Sequence, residues 1–230
     1  MGDRFLDSGR IDAPQDDSRC DLFRRYDRSM TQLAEQWARL LLWCDAYAAV
    51  TAAGLNPPAE PRIVRDAESA TDRTWTPELR EWFALHNGSD QGNVFPQVLP
   101  GHRPMTVAEL VVDWRSLVGI WAETTTELEE IEGRQLMADP AGTTAFTYLP
   151  SFIPIAADNT RCRLVVDTRD GDAAGCVVGF ASDDVVDEGT MRWPSIGAML
   201  HDVADSLETS HPCKGWVPFV EDGELYWDFP

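Results

Sequence analysis

Positive charge is what this chain most lacks. Lys214 is its sole lysine, and 19 basic side chains stand against 39 acidic ones in 230 residues, a formal net charge of −20. The arginines are scattered and form no basic run, so the chain repels phosphate backbones, which argues against direct nucleic-acid binding. No stretch of about 18 apolar residues occurs, which excludes a helical membrane span from the sequence reading. The opening Met1-Gly2-Asp3-Arg4 is polar, unlike a secretory signal, and Leu6-Asp7 follow Gly2 where a myristoylation motif wants serine or threonine. The five cysteines (Cys20, Cys44, Cys162, Cys176, Cys213) are odd in number, widely spaced and without C-x-x-C, as in reduced thiols of a cytoplasmic protein.

Catalytic signatures are equally scarce. His86, His102, His201 and His211 form no H-E-x-x-H, and His211-Pro212-Cys213 offers only two ligands, so no metal site and no cofactor are expected. No serine lies in G-x-S-x-G, and no glycine-rich phosphate cradle is present. The chain is therefore expected not to be an enzyme. The one chemical alternative is a hydrolase using Asp202 and Asp205, whose spacing of three places both on one helix face.

What is present is hydrophobic periodicity. Met1 to Asp27 has few apolar anchors and reads as a polar leader (1–28), ahead of a single domain spanning 29–230. From Met30 to Ala48, Leu33, Trp37, Leu40, Leu41 and Cys44 fall at helical spacing; the helix is expected to run toward Gly54, where Pro57-Pro58 forbids continuation. Pro61–Ser69 and the segment after Thr76-Pro77 read as short helices, the latter with Asn87-Gly88 as its left-handed exit. Val94–Leu99 is a candidate strand. Thr106-Val107-Ala108-Glu109 is a capping box opening an amphipathic helix through Trp121.

After Asp139-Pro140-Ala141-Gly142 the period shortens. Phe152-Ile153-Pro154-Ile155 reads as an edge strand because proline cannot donate to a ladder. Arg161–Thr168 and Cys176–Ala181 follow as a strand pair, with Leu164 set near Phe180 and Val166 near Val178. That pairing leaves Cys162 and Cys176 roughly 20 Å apart, beyond disulfide reach. Ser195 caps a helix bearing Ile196, Met199, Leu200, Val203 and Leu207, and Asp222-Gly223 divides a terminal hairpin. Helices first, then strands, then a helix predict an α+β fold.

Several of these segments resemble the SUKH superfamily, in the branch named for the Smi/Knr cell-wall-assembly regulators. The resemblance is carried by Trp37, Leu55-Asn56-Pro57-Pro58-Ala59, Pro77-Glu78-Leu79-Arg80-Glu81-Trp82-Phe83-Ala84-Leu85-His86-Asn87-Gly88, Phe152–Ala156, Leu164–Asp167, Gly175–Val178, Ser195–Leu207 and Val217–Trp227. Two features depart from the pattern. The acidic position of the short helix is offset among Asp66 and Glu68, and Thr74-Trp75-Thr76-Pro77 replaces a leucine-proline entry. The resemblance implies helices packed around a mainly antiparallel sheet and no catalytic residues to carry over. It also implies a protein-binding role, either an immunity protein neutralising a polymorphic toxin or a regulatory scaffold.

The charge distribution suggests where such a partner docks. From Asp183 onward eleven acids face only Arg192 and Lys214. This is either a solvated face or a surface complementary to a basic partner, such as a basic toxin domain. The candidate partner-binding residues are Asp183, Asp184, Asp187 and Glu188, in a loop before the Ser195 helix, with Glu221 and Asp222 at the hairpin turn.

Overall fold

Capping chemistry places the helices where they stand. In the computed structural model, which describes residues 31–89, 97–158, 162–181 and 190–230, the Thr31 hydroxyl accepts from the Ala34 amide and opens α1 (Gln32–Tyr47). Leu33, Gln36, Trp37, Leu40 and Cys44 line its buried stripe. The run toward Gly54 is not one helix: Ala48 breaks it (φ −134°, ψ 54°), and α2 (Ala49–Ala53) follows as a separate short helix. The break has a use. It turns the Val50 amide onto the Gly223 carbonyl and the Thr51 hydroxyl onto the Leu225 amide, both in the terminal hairpin.

Proline at the first turn starts both α3 (Pro61–Ala70) and α4 (Pro77–Leu85), and Thr76 caps the latter through the Leu79 amide. α4 does not leave through a left-handed Asn87-Gly88. Its cap is His86 in an extended conformation (φ −160°), and Gly88 turns positive (φ 68°) two residues later for another reason. A Cβ on Gly88 would lie 2.4 Å from the Met105 carbonyl carbon, so only glycine admits that backbone. Asn87 then accepts from the Val107 amide, while its own carbonyl takes the Asn56 side chain. The pair is a junction between α4, the Asn56 loop and the next helix.

That helix is α5 (Val107–Glu132), opened by the expected Thr106/Glu109 capping box and closed by left-handed Gly133. Five strands form one antiparallel sheet in the order β1 (Arg103–Pro104), β2 (Phe152–Ala157), β3 (Cys162–Asp167), β4 (Val177–Ala181), β5 (Thr190–Trp193). β2 is thus interior, not an edge. Its proline is tolerated because β1 reaches only Ala156 and Ala157, and a bulge between Pro154 and Ala156 shifts the register. The β3–β4 register differs by one residue from the sequence expectation: Leu164 faces Gly179, Val165 faces Val178 and Val166 faces Val177. Such a slip follows when both faces are apolar, since alternation no longer selects one of them.

Both faces are in fact buried. Leu164, Val166, Val177, Ile153 and Ile155 pack with the helices, including α6 (Ile196–Thr209), whose cap is Ser195 as expected. Val165, Val178, Phe180 and Phe152 form a second core with Leu117, Leu136, Tyr148 and Leu149. Asp167 and Arg169, fully buried and 2.7 Å apart, tie down the segment covering that core. Arg169 donates to the Leu136 and Thr143 carbonyls, and Asp167 accepts from the Gly142 amide. The fold is α+β, with Thr31–Pro230 as one compact unit, and among the described residues no helix is long and apolar enough to cross a membrane. None of the four described cysteines is in a disulfide, and burial pushes the Cys44, Cys176 and Cys213 thiols up to about 12. Of the Val94–Leu99 candidate strand, residues 94–96 lie outside the described residues, and Leu99 makes only an isolated bridge to His102.

Candidate functional site

Two regions bring carboxylates together, and their chemistry differs. The first lies on α6, where Asp202 and Asp205 border a shallow groove of about 430 Å³ with His211, Cys213 and Lys214. Both carboxylates are engaged. Asp205 and Glu208 receive the Arg39 guanidinium at 2.7 and 2.6 Å, which ties α6 to α1, and His201 Nε2 lies 3.5 Å from Asp205. Burial opposes the charge on Arg39, but its hydrogen bonds to Glu208 and Asp205 outweigh it and raise its pKa. Asp202 accepts from Trp193 Nε1 at 3.0 Å and stands 3.9 Å from Lys214 Nζ, which itself sits over the Trp193 ring. These contacts hold elements together and occupy part of each carboxylate's accepting capacity. Among the described residues no group of three His, Cys, Asp or Glu side chains is placed to hold a metal ion.

The second region is the terminal hairpin, a separate two-stranded sheet of β6 (Val217–Glu221) and β7 (Glu224–Asp228). Asp222 and Gly223 are both at positive φ (51° and 80°), the requirement of a two-residue type I′ turn. Alternation then sorts the side chains. Leu225 and Trp227 are buried, whereas Phe219, Glu221, Glu224, Tyr226 and Asp228 share the opposite face. Pro218 opposes Trp227, three rungs from the hydrogen-bonded pair that closes the turn, at a place where its missing N–H would point away from β7. The Leu225 amide bonded to Thr51 (2.8 Å), the Val50 amide on the Gly223 carbonyl (2.9 Å) and Trp227 Nε1 on the Gln97 carbonyl (2.8 Å) fasten the hairpin to the body.

Glu221 and Asp222 are exposed at the turn, as expected from the sequence, while Asp183, Asp184, Asp187 and Glu188 lie outside the described residues. Sequence reasoning passed over their neighbours. Phe219, 43% exposed, stacks on Tyr226 with ring centres 5.4 Å apart and planes 20° from parallel. The Tyr226 hydroxyl donates to Glu224 at 2.6 Å. That hydrogen bond first, then lost solvent and the charges of Glu224, Glu221 and Asp222, push the phenol above its ordinary value. Among the described residues no cation forms an ion pair with Glu221, Asp222, Glu224 or Asp228. The signal was available: reading alternate positions outward from Asp222-Gly223 places Phe219 and Tyr226 opposite each other on one face. No family model and no curated protein matches the chain.

Proposed function

We propose that this chain is a non-catalytic protein-binding module that acts in the cytoplasm as an immunity protein of the SUKH type, neutralising a basic toxin domain. The observation that carries the reading is the hairpin: three carboxylates and a partly exposed aromatic pair on one fastened face, with Asp222 at its turn and no cation of the described chain to answer them. The net charge of −20 adds a long-range field that accelerates encounter with a basic protein and disfavours nucleic acid. The engaged state of Asp202 and Asp205 weighs against the hydrolase alternative.

The test is co-expression of the full chain with toxins encoded beside it, followed by affinity purification. The expected result is restored growth and a co-purifying basic toxin whose association slows as salt rises, because exposed charges are screened over about 8 Å at physiological ionic strength. Neutralising Glu221, Asp222 and Glu224 together should slow association more than it speeds dissociation. Failure to protect against any toxin, with no protein retained, overturns the reading. Several retained partners without protection would instead identify a regulatory scaffold.

A further inference from the structure

The hairpin face carries more than charge. We propose that the outer face of β6 and β7 is the docking surface for an arginine of a basic partner protein, its guanidinium laid on the Phe219–Tyr226 stack and donating to Glu221 and Glu224. This rests on the protein-binding reading above and names the partner group that it recognises.

The placement of the side chains supplies the argument. Glu221 and Glu224 are direct cross-strand partners in the register, and like charges so opposed weaken a hairpin. A cation between them reverses that repulsion. One oxygen of Glu224 already accepts the Tyr226 hydroxyl, which couples the carboxylate to the ring and uses only part of its capacity to accept. The rings stack 20° from parallel, so each covers one face of the other and keeps an outer face on which a planar cation can lie. A guanidinium is planar, stacks on aromatic faces and carries a fork of donors that matches carboxylates; a lysine ammonium is compact, strongly hydrated and cannot stack.

Other occupants fit less well. A second copy would bring the same acids against these, at −20 per chain. A purely apolar partner would strip water from unpaired carboxylates without replacing it. The fastening by Val50, Thr51 and Gln97 holds the face in place before binding, which lowers the ordering cost of recognition.

The experiment titrates the isotope-labelled full chain with two synthetic peptides of equal length and charge, four arginines or four lysines spaced by glycine and serine, and follows backbone amide shifts. The arginine peptide is expected to bind about three- to five-fold more tightly, the size of an exposed cation–π contact. Its shifts should concentrate on 217–228. Phe219→Leu, which keeps apolar bulk without a π face, should bring arginine affinity down to the lysine level. Glu221→Gln with Glu224→Gln, which relieves repulsion and so endangers no fold, should weaken both peptides. Equal affinity for the two peptides, shifts centred on the α6 groove, or a preference that survives Phe219→Leu would overturn the proposal. The immunity reading is separable. A toxin captured equally by wild type and these variants refutes this surface and leaves that reading intact. An arginine preference abolished by Phe219→Leu, with no toxin neutralised, supports the surface and removes the reading.

Discussion

The body of the molecule and its terminal hairpin use acidic side chains in opposite ways. In the body, several carboxylates meet arginines: Asp167 with Arg169, Glu68 with Arg80, Glu109 with Arg103, Asp113 with Arg163, and Asp205 with Arg39. Most of these pairs join different elements or hold a cap, and the guanidinium of Arg80 keeps Glu68 below the usual carboxylate range. On the hairpin, Glu221, Asp222, Glu224 and Asp228 meet no such partner among the described residues. The arginines of these pairs stand where carboxylates are covered or join elements, and none of them reaches the hairpin acids. Total acidity therefore says little about function, whereas the location of unanswered acidity says more.

That contrast can be broken by substitution, and the largest effect belongs to the buried pair. Asp167→Asn leaves the Arg169 guanidinium buried without its counter-charge and should cost about 3–5 kcal/mol in a denaturant titration. Loss of order in the 136–149 segment should accompany it, because Arg169 holds the Leu136 and Thr143 carbonyls.

A change of pH acts next, through a group of the body that carries no charge. His86 is fully enclosed, stacked on Trp37 at 4.3 Å and edge-on to Trp82 at 4.1 Å, and burial lowers its pKa to about 3. The folded value lies below the ordinary 6.5, so the unfolded chain takes up the proton first. The full stability of the neutral state is present above pH 6.5 and is lost progressively toward pH 3. Between pH 6.5 and 5 the loss should reach about 2 kcal/mol at 1.36 kcal/mol per unit. His86→Gln, which can still accept from the Gly88 amide but does not titrate, should flatten that slope in chemical denaturation at several pH values.

Arg39→Gln is a milder break. It unties α1 from Asp205 and Glu208, both nearly half exposed, and should cost about 1 kcal/mol, less in high salt. The smallest effect has the opposite sign. Glu221→Gln should leave the denaturation midpoint unchanged or slightly higher, since it removes a like-charge pair and no contact within the described chain. A marked loss of stability there would mean that the hairpin acids are structural after all.

The local chemistry of the fold was legible from residues alone. Thr76-Pro77, Thr106 with Glu109, Ser195 and Asp222-Gly223 act within a few residues of themselves, and each marks the element boundary or turn that it predicts. Glu221 and Asp222 at the turn were legible for the same reason. The stack of Phe219 on Tyr226 was implicit in the same alternation, but becomes a site only once Leu225 and Trp227 are seen to claim the other face.

Tertiary packing decided the rest. Nothing near Ala48 announces a break; it follows from the seat that Val50 and Thr51 make for the hairpin. Gly88 looks like a helix exit, yet its conformation answers the backbone of Met105, seventeen positions away. The β3–β4 register slipped by one because both faces are covered, and periodicity carries no information where neither face meets water. Which carboxylates are answered was decided last, because an ion pair such as Arg39 with Asp205 needs two elements already in place. Composition determined that this chain would be acidic; only the packed structure determined which of its acids remain available to a partner.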